Sequence, residues 1–243
     1  MSEALQAPML CSRHMARLVA CPIEPQGVIG RAPRTWANHV EAGLGDRLKL
    51  DSERIDRARL EALAQEGAPE KFFLSVMAWG GMKIGHGISA WAERDRWSAA
   101  LVDALTGGLS RGELYLRFAT ASTAGMRAAY FTKLIHFAST SRPAPVGYIM
   151  DQWTAKSVNL ICREQVVTLD AAGYVLPLND HQAYEAFCQA IDAIGNALQI
   201  SGAQAEERIY SRGGRRPAAW RAHVKAHWRP EGRPSRGTRL APT

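Results

Sequence analysis

Tyr184, Phe187, Cys188, Ile191, Ile194 and Leu198 recur at helical spacing after Asp180 and form one unbroken apolar stripe. A helix with that much apolar surface on one side must lie against other elements, and the rest of the chain offers mainly helices. Asp51 or Ser52 is placed to cap a helix that ends at Gly67, with Ile55, Ala58 and Ala62 on one face. Glu70–Trp79 reads as a short apolar helix stopped by Gly80-Gly81. Met82–Gly87 reads as a loop, Ser89–Leu105 as an amphipathic helix, and Ser110 as the cap of a helix reaching Thr120. Further helices are expected over Ala124–Ser139, Asp151–Arg163 and Ala203–Tyr210. Strand character competes only over Gln165–Pro177. The pattern predicts an all-α bundle of about eight helices over residues 36–212. An irregular, proline-bearing lead-in (1–35) precedes it and a basic tail (213–243) comes after it. Little fixed structure is expected in the tail, although Trp220 and Trp228 can dock.

Composition narrows the function classes. Apolar residues make up 47% and charged residues 22%, ordinary values for a globular chain, and no apolar run approaches the ~20 residues of a membrane span. Arg13 and Arg17 lack the long apolar core of a secretory leader behind them. Four scattered cysteines suit a reducing cytoplasm, and Cys11, His14 and Cys21 lack a fourth ligand at zinc-like spacing, so no metal or cofactor is expected. The net charge of +7 is concentrated at one end: residues 208–243 carry ten Lys or Arg and a single acid, Glu231. Such an end suits a polyanion, most often nucleic acid, or is a solvated terminus; charge alone leaves both open.

Lys133 stands out within Met126–Ala138, where Met126, Tyr130, Leu134 and Phe137 form an apolar stripe. Its stem rises three residues after Tyr130 and four before Phe137, beside that stripe. A lysine there either snorkels to water or is pressed into apolar surroundings, where burial disfavours its charged form. Asp151 comes where the extended Val146–Met150 run gives way to a helix, a position for an N-cap or for a carboxylate partner.

Two of these segments also carry a resemblance. Phe131-Thr132-Lys133-Leu134-Ile135-His136-Phe137, with Tyr148-Ile149-Met150-Asp151, resembles the lysine and aspartate segments of helix-hairpin-helix DNA glycosylases, in particular the 8-oxoguanine DNA glycosylase OGG-like family. Val76-Met77-Ala78-Trp79-Gly80 resembles an Ala-Trp-Gly segment near that family's start, and Glu206 with Ile209-Tyr210 fits its closing pattern. Ala129-Tyr130-Phe131 replaces the Gly-x-Gly of better-known hairpins, and the four-cysteine iron–sulfur loop of some members is absent.

The resemblance implies a monomer that acts on double-stranded DNA carrying a modified base, with Lys133 as Schiff-base nucleophile and Asp151 as its carboxylate. It implies 8-oxoguanine as the base. A modified phage base cut out in defence, or a non-catalytic DNA binder of the same fold, are the alternatives. Trp79, Phe137 and Trp153 are candidates for stacking on the flipped base, or for core packing, and His136 is a candidate for contact with a substrate phosphate, or for a structural role. Lys83, Gly85, Arg215 and Arg216 are candidates for DNA contact.

Overall fold

A computed structural model describes residues 8–24, 26–121, 123–140, 142 and 145–230. Thirteen α-helices lie among them: α1 (Ser12–Ala20), α2 (Pro33–Val40), α3 (Leu44–Arg47), α4 (Arg57–Gln65), α5 (Pro69–Trp79), α6 (Ile84–Ala92), α7 (Arg94–Thr106), α8 (Arg111–Thr120), α9 (Ala128–Ser139), α10 (Gln152–Ile161), α11 (His181–Leu198), α12 (Gly202–Tyr210) and α13 (Ala219–His227). The described residues contain no strand, only isolated bridges between Leu10 and Cys162 and between Leu169 and Val175. Strand character at 165–177 therefore yields a loop. Asn159 and Asn179 side chains, rather than a ladder, serve the backbone of Val166, Val167 and Thr168 there.

The all-α class holds, but the number of helices exceeds eight for local reasons. The predicted Ser89–Leu105 helix is two pieces, because the chain breaks direction at Glu93 between α6 and α7. Ile84–Gly87 belongs to α6 and not to a loop. Asp56, not Asp51 or Ser52, caps α4 by accepting from the Arg59 backbone N–H at 2.9 Å, while Asp51 pairs with the Arg59 side chain at 3.2 Å. α9 begins four residues later than its apolar pattern, since Gly125 occupies a turn at φ +88°. The lead-in contains α1, and residues past Gly213 form α13, docked through buried Trp220 and Val224. Ser110 and Asp180 cap α8 and α11 as expected, each stabilising its helix by about 1 kcal/mol.

Two helical layers hold Lys133 and Asp151 in place. α9 lies against α4, α5, α7 and α8, with Leu134, Ile135 and Phe137 fully buried. α11 packs against α8, α10 and α12 through the stripe from Tyr184 to Ile194. The extended Val146–Met150 segment runs between the layers with no sheet partner, so side chains must satisfy its backbone. Thr132, His136 and Ser139, at helical spacing on α9, do so. Thr132 Oγ1 accepts from the Met150 N–H at 3.1 Å, His136 Nδ1–H donates to the Gly147 carbonyl at 2.8 Å, and Ser139 Oγ accepts from the Gly147 N–H at 3.0 Å. From the other side Tyr184 Oη–H donates to the Tyr148 carbonyl at 3.0 Å, and Arg111 Nη1 donates to the Val146 carbonyl at 3.0 Å. A polar stripe inside an apolar helix thereby sets the register between Lys133 and Asp151.

Candidate active site

Lys133 and Asp151 reach one small cavity from different elements, with Gln26, Ile29, Arg57, Trp79, Gly80, Ile149 and Tyr210 completing its wall. Lys133 is 7% exposed. Its stem passes so close to α5 that a Cβ at Gly80 would lie 2.8 Å from Cδ, which explains the glycine there. The amine donates to the Ala129 carbonyl one turn back and sits 5.5 Å from the Tyr130 ring centre. Burial lowers its pKa from the usual lysine value; the charges of Asp151 and Glu206 oppose this, and that of Arg57 adds to it. Of the two sequence readings of Lys133, the structure has the buried one.

Asp151 is the N-cap of α10. Its Oδ1 accepts from the Trp153 N–H at 2.7 Å and the Thr154 N–H at 3.1 Å, and Thr154 Oγ1 accepts from the Asp151 N–H at 3.0 Å. These bonds fix the carboxylate rigidly and occupy one oxygen, while Oδ2 has no hydrogen bond among the described residues. No Lys133–Asp151 ion pair within 4 Å forms among the described residues. The two groups share a cavity without neutralising each other by contact.

Beneath the pair lies a buried network that the sequence did not disclose. Arg57 donates from Nε to Gln26 Oε1 at 2.8 Å and from Nη1 to His136 Nε2 at 3.0 Å. Its Nη2 lies 2.8 Å from Oε2 of fully buried Glu206, off the line of a well-formed hydrogen bond, so this contact is chiefly charge on charge. Burial pushes the Glu206 carboxyl up to about 7, against the pull of Arg57. Burial, with Arg57 beside it, pushes His136 down to about 3, so the ring is neutral and its Nε2 accepts. Arg57 and Gln26 come from a helix start and a loop far from Lys133 in sequence, and no local pattern marks them.

The other candidates fall in different places. Trp79 lines the cavity, and its buried indole N–H has no hydrogen-bond partner among the described residues. Phe137 is fully buried, edge-on to Trp79 at 5.0 Å, and it and His136 lie outside the cavity lining. Trp153 is partly exposed beside the site and carries the Arg221 guanidinium 4.0 Å over its ring. Lys83 is exposed at the start of α6 and Gly85 lies exposed in its first turn. Arg215 and Arg216 are exposed at the bend before α13.

The cavity measures about 40 Å³, room for a water molecule or so, against the several hundred Å³ of ordinary ligand pockets. A nucleobase enters only if the wall opens. Among the described residues no helix is long and apolar enough to cross a membrane.

No curated protein and no solved structure gives a significant match to the chain. A family model does: the one described as "Putative 8-oxoguanine DNA glycosylase OGG-like protein" matches residues 24–210. That span runs from just before Gln26 to Tyr210 and so takes in every cavity-lining residue, leaving α1 and α13 outside it. The chain belongs to the OGG-like family of DNA glycosylases.

Proposed function

We propose that the protein is a bifunctional glycosylase that removes a modified base from duplex DNA through Lys133, with Asp151 stabilising the sugar as the bond breaks. The observation carrying this reading is the convergence of a buried amine and a rigidly capped carboxylate on one cavity. The target nucleotide leaves the stack, at a cost of a few kcal/mol that is smallest for a damaged or mispaired base. The bond between C1′ and the base lengthens, positive charge grows on the sugar, and the Asp151 carboxylate offsets it. The unprotonated Lys133 amine attacks C1′. The base leaves with the bonding electrons and takes up a proton from solvent; the nitrogen then passes one of its protons to O4′ as the C1′–O4′ bond breaks, leaving an iminium that links Nζ and C1′. Loss of a proton from C2′ and departure of the 3′ phosphate then cut the strand, and water releases the lysine.

Burial supports the amine's role by lowering its proton affinity from the usual lysine value, against the opposing charges of Asp151 and Glu206. The unpartnered Trp79 N–H supports a base that presents an acceptor into the cavity, as the exocyclic oxygen of 8-oxoguanine does. An oxidised purine and a modified phage base both need the same bond broken, so substrate choice rests on the opened wall. The test is a base-release screen on duplexes carrying different modified bases, followed by borohydride trapping. A covalent adduct that disappears in Lys133→Ala supports the reading. Release of no base and trapping of no adduct with any of them would overturn it.

A further inference from the structure

The family match ends at Tyr210, and α13 lies just beyond it on the edge of the site. Trp220 anchors it, with its indole N–H donating to Ser157 Oγ on α10 at 3.1 Å. Arg221 ties it further: Nε donates to the Tyr210 carbonyl at 3.1 Å, Nη2 to the Ser211 carbonyl at 2.6 Å, and the guanidinium lies 5.0 Å from the Tyr210 ring and 4.0 Å from that of Trp153. Lys156 then stands 4.6 Å from the rings of both Trp153 and Trp228. Cations and aromatic rings thus alternate outward from the cavity wall.

Among the described residues no carboxylate lies within 4 Å of Lys156, Arg221, Lys225 or Arg229, and residues 208–230 contain no acid at all. Lys156 and Arg221 are buried, which lowers the proton affinity of both against more distant pull from Asp170 and Asp151 on Lys156 and from Asp151 on Arg221. Lys225 and Arg229 are exposed, and Lys225 reaches within 5.9 Å of the Trp153 ring. Trp153 lies two residues beyond Asp151 in the first turn of α10. On the proposed excision reading, a strand whose sugar meets Asp151 and that runs toward Trp153 brings its next phosphates over this face. Beyond Trp228 the surface opens into a hollow of about 350 Å³ bordered by Arg163 and Arg229, with Glu164 as its one acid.

We propose that the face built by α10 and α13 grips the phosphate backbone of the DNA strand next to the excised nucleotide. Its α13 half lies outside the family's matched span and its α10 half inside it, and the proposal rests on the glycosylase reading for its orientation. Cations with no carboxylate in contact, held beside aromatic rings, favour an anionic chain, and each phosphate contact releases condensed counter-ions, so the grip depends on salt.

The experiment compares the full chain with Lys225→Ala/Arg229→Ala for binding of a fluorescent undamaged duplex across a salt series. The double variant should bind about tenfold more weakly near 0.1 M salt, with a slope of log affinity against log salt shallower by about 2, since each phosphate contributes roughly 0.9. The charge-keeping pair Lys225→Arg/Arg229→Lys should retain both. Unchanged affinity and slope in the alanine pair overturn the proposal, as does an equal loss in the charge-keeping pair, which would mark a packing defect. Binding of undamaged duplex needs no excision, so the readouts separate. An altered slope with no borohydride adduct on any duplex sinks the glycosylase reading alone, and an unaltered slope in an active enzyme sinks this one alone.

Discussion

Arg57 and Arg111 are both arginines set into the interior against carboxylates, yet their surroundings differ in what they leave unsettled. Arg111 meets Glu185 at 2.7 Å and Asp192 at 2.9 Å, and both acids are partly open to water, 30% and 40% by side chain. Two acids and the Val146 carbonyl satisfy it, and Asp192 also accepts from Tyr148 at 2.5 Å. Arg57 has one acid, Glu206, fully buried and imperfectly aligned, plus a neutral histidine and an amide. Around it stand a lysine short of its full proton affinity and an indole N–H with nothing to bind. The first cluster fastens the segment leading to Asp151. The second keeps unmatched polarity at the cavity, where a substrate can meet it.

The sharpest break in this comparison comes from Lys133→Ala, which should abolish the borohydride adduct completely while the protein still melts cooperatively. Next is Arg57→Met, which leaves Glu206 buried without its cation. Thermal or urea unfolding at pH 8 should show a loss of about 3–5 kcal/mol, shrinking as pH falls toward 7, because without Arg57 the carboxyl takes up its proton at higher pH than before. Arg111→Met should cost less, about 1–3 kcal/mol, because water reaches both of its acids. A larger loss at Arg111 than at Arg57 would reverse the contrast.

Glu206→Gln sharpens it through pH. A carboxyl raised from 4.5 in the unfolded chain to about 7 in the fold holds its proton more tightly when folded. Its ionisation therefore erodes stability as pH rises from about 4.5 to 7, by up to roughly 3 kcal/mol, and the glutamine variant should lack that decline. A parallel pair of stability profiles would show that Glu206 ionises normally in the fold. The smallest effect is expected at Thr132→Val, which leaves the Met150 N–H without its acceptor. Unfolding should register about 1–2 kcal/mol, and excision should slow with it if Asp151 shifts.

Much of the fold and site was legible in the chain where signals are local. Ser110, Asp151 and Asp180 announce helix starts because a short polar side chain can serve free N–H groups there. Lys133 and Asp151 stand out against apolar neighbours. Asp51 misleads because two aspartates, Asp51 and Asp56, precede α4 and only backbone geometry selects Asp56. Gln26, Arg57 and Glu206 meet at the site from three distant parts of the chain, so no spacing links them. His136 was visible, but its role was not. The signal was the Thr132, His136, Ser139 repeat on an otherwise apolar helix, which marks a clamp on the Val146–Met150 backbone.

An amine whose charged form burial disfavours would, in the open, be bait for stray aldehydes and sugars. The recess in front of Lys133 admits little more than water, so such carbonyl compounds find the door closed in the resting protein. On the proposed excision mechanism, narrowness here would act as chemical self-protection, leaving the amine to react only with a substrate large enough to prise the wall apart.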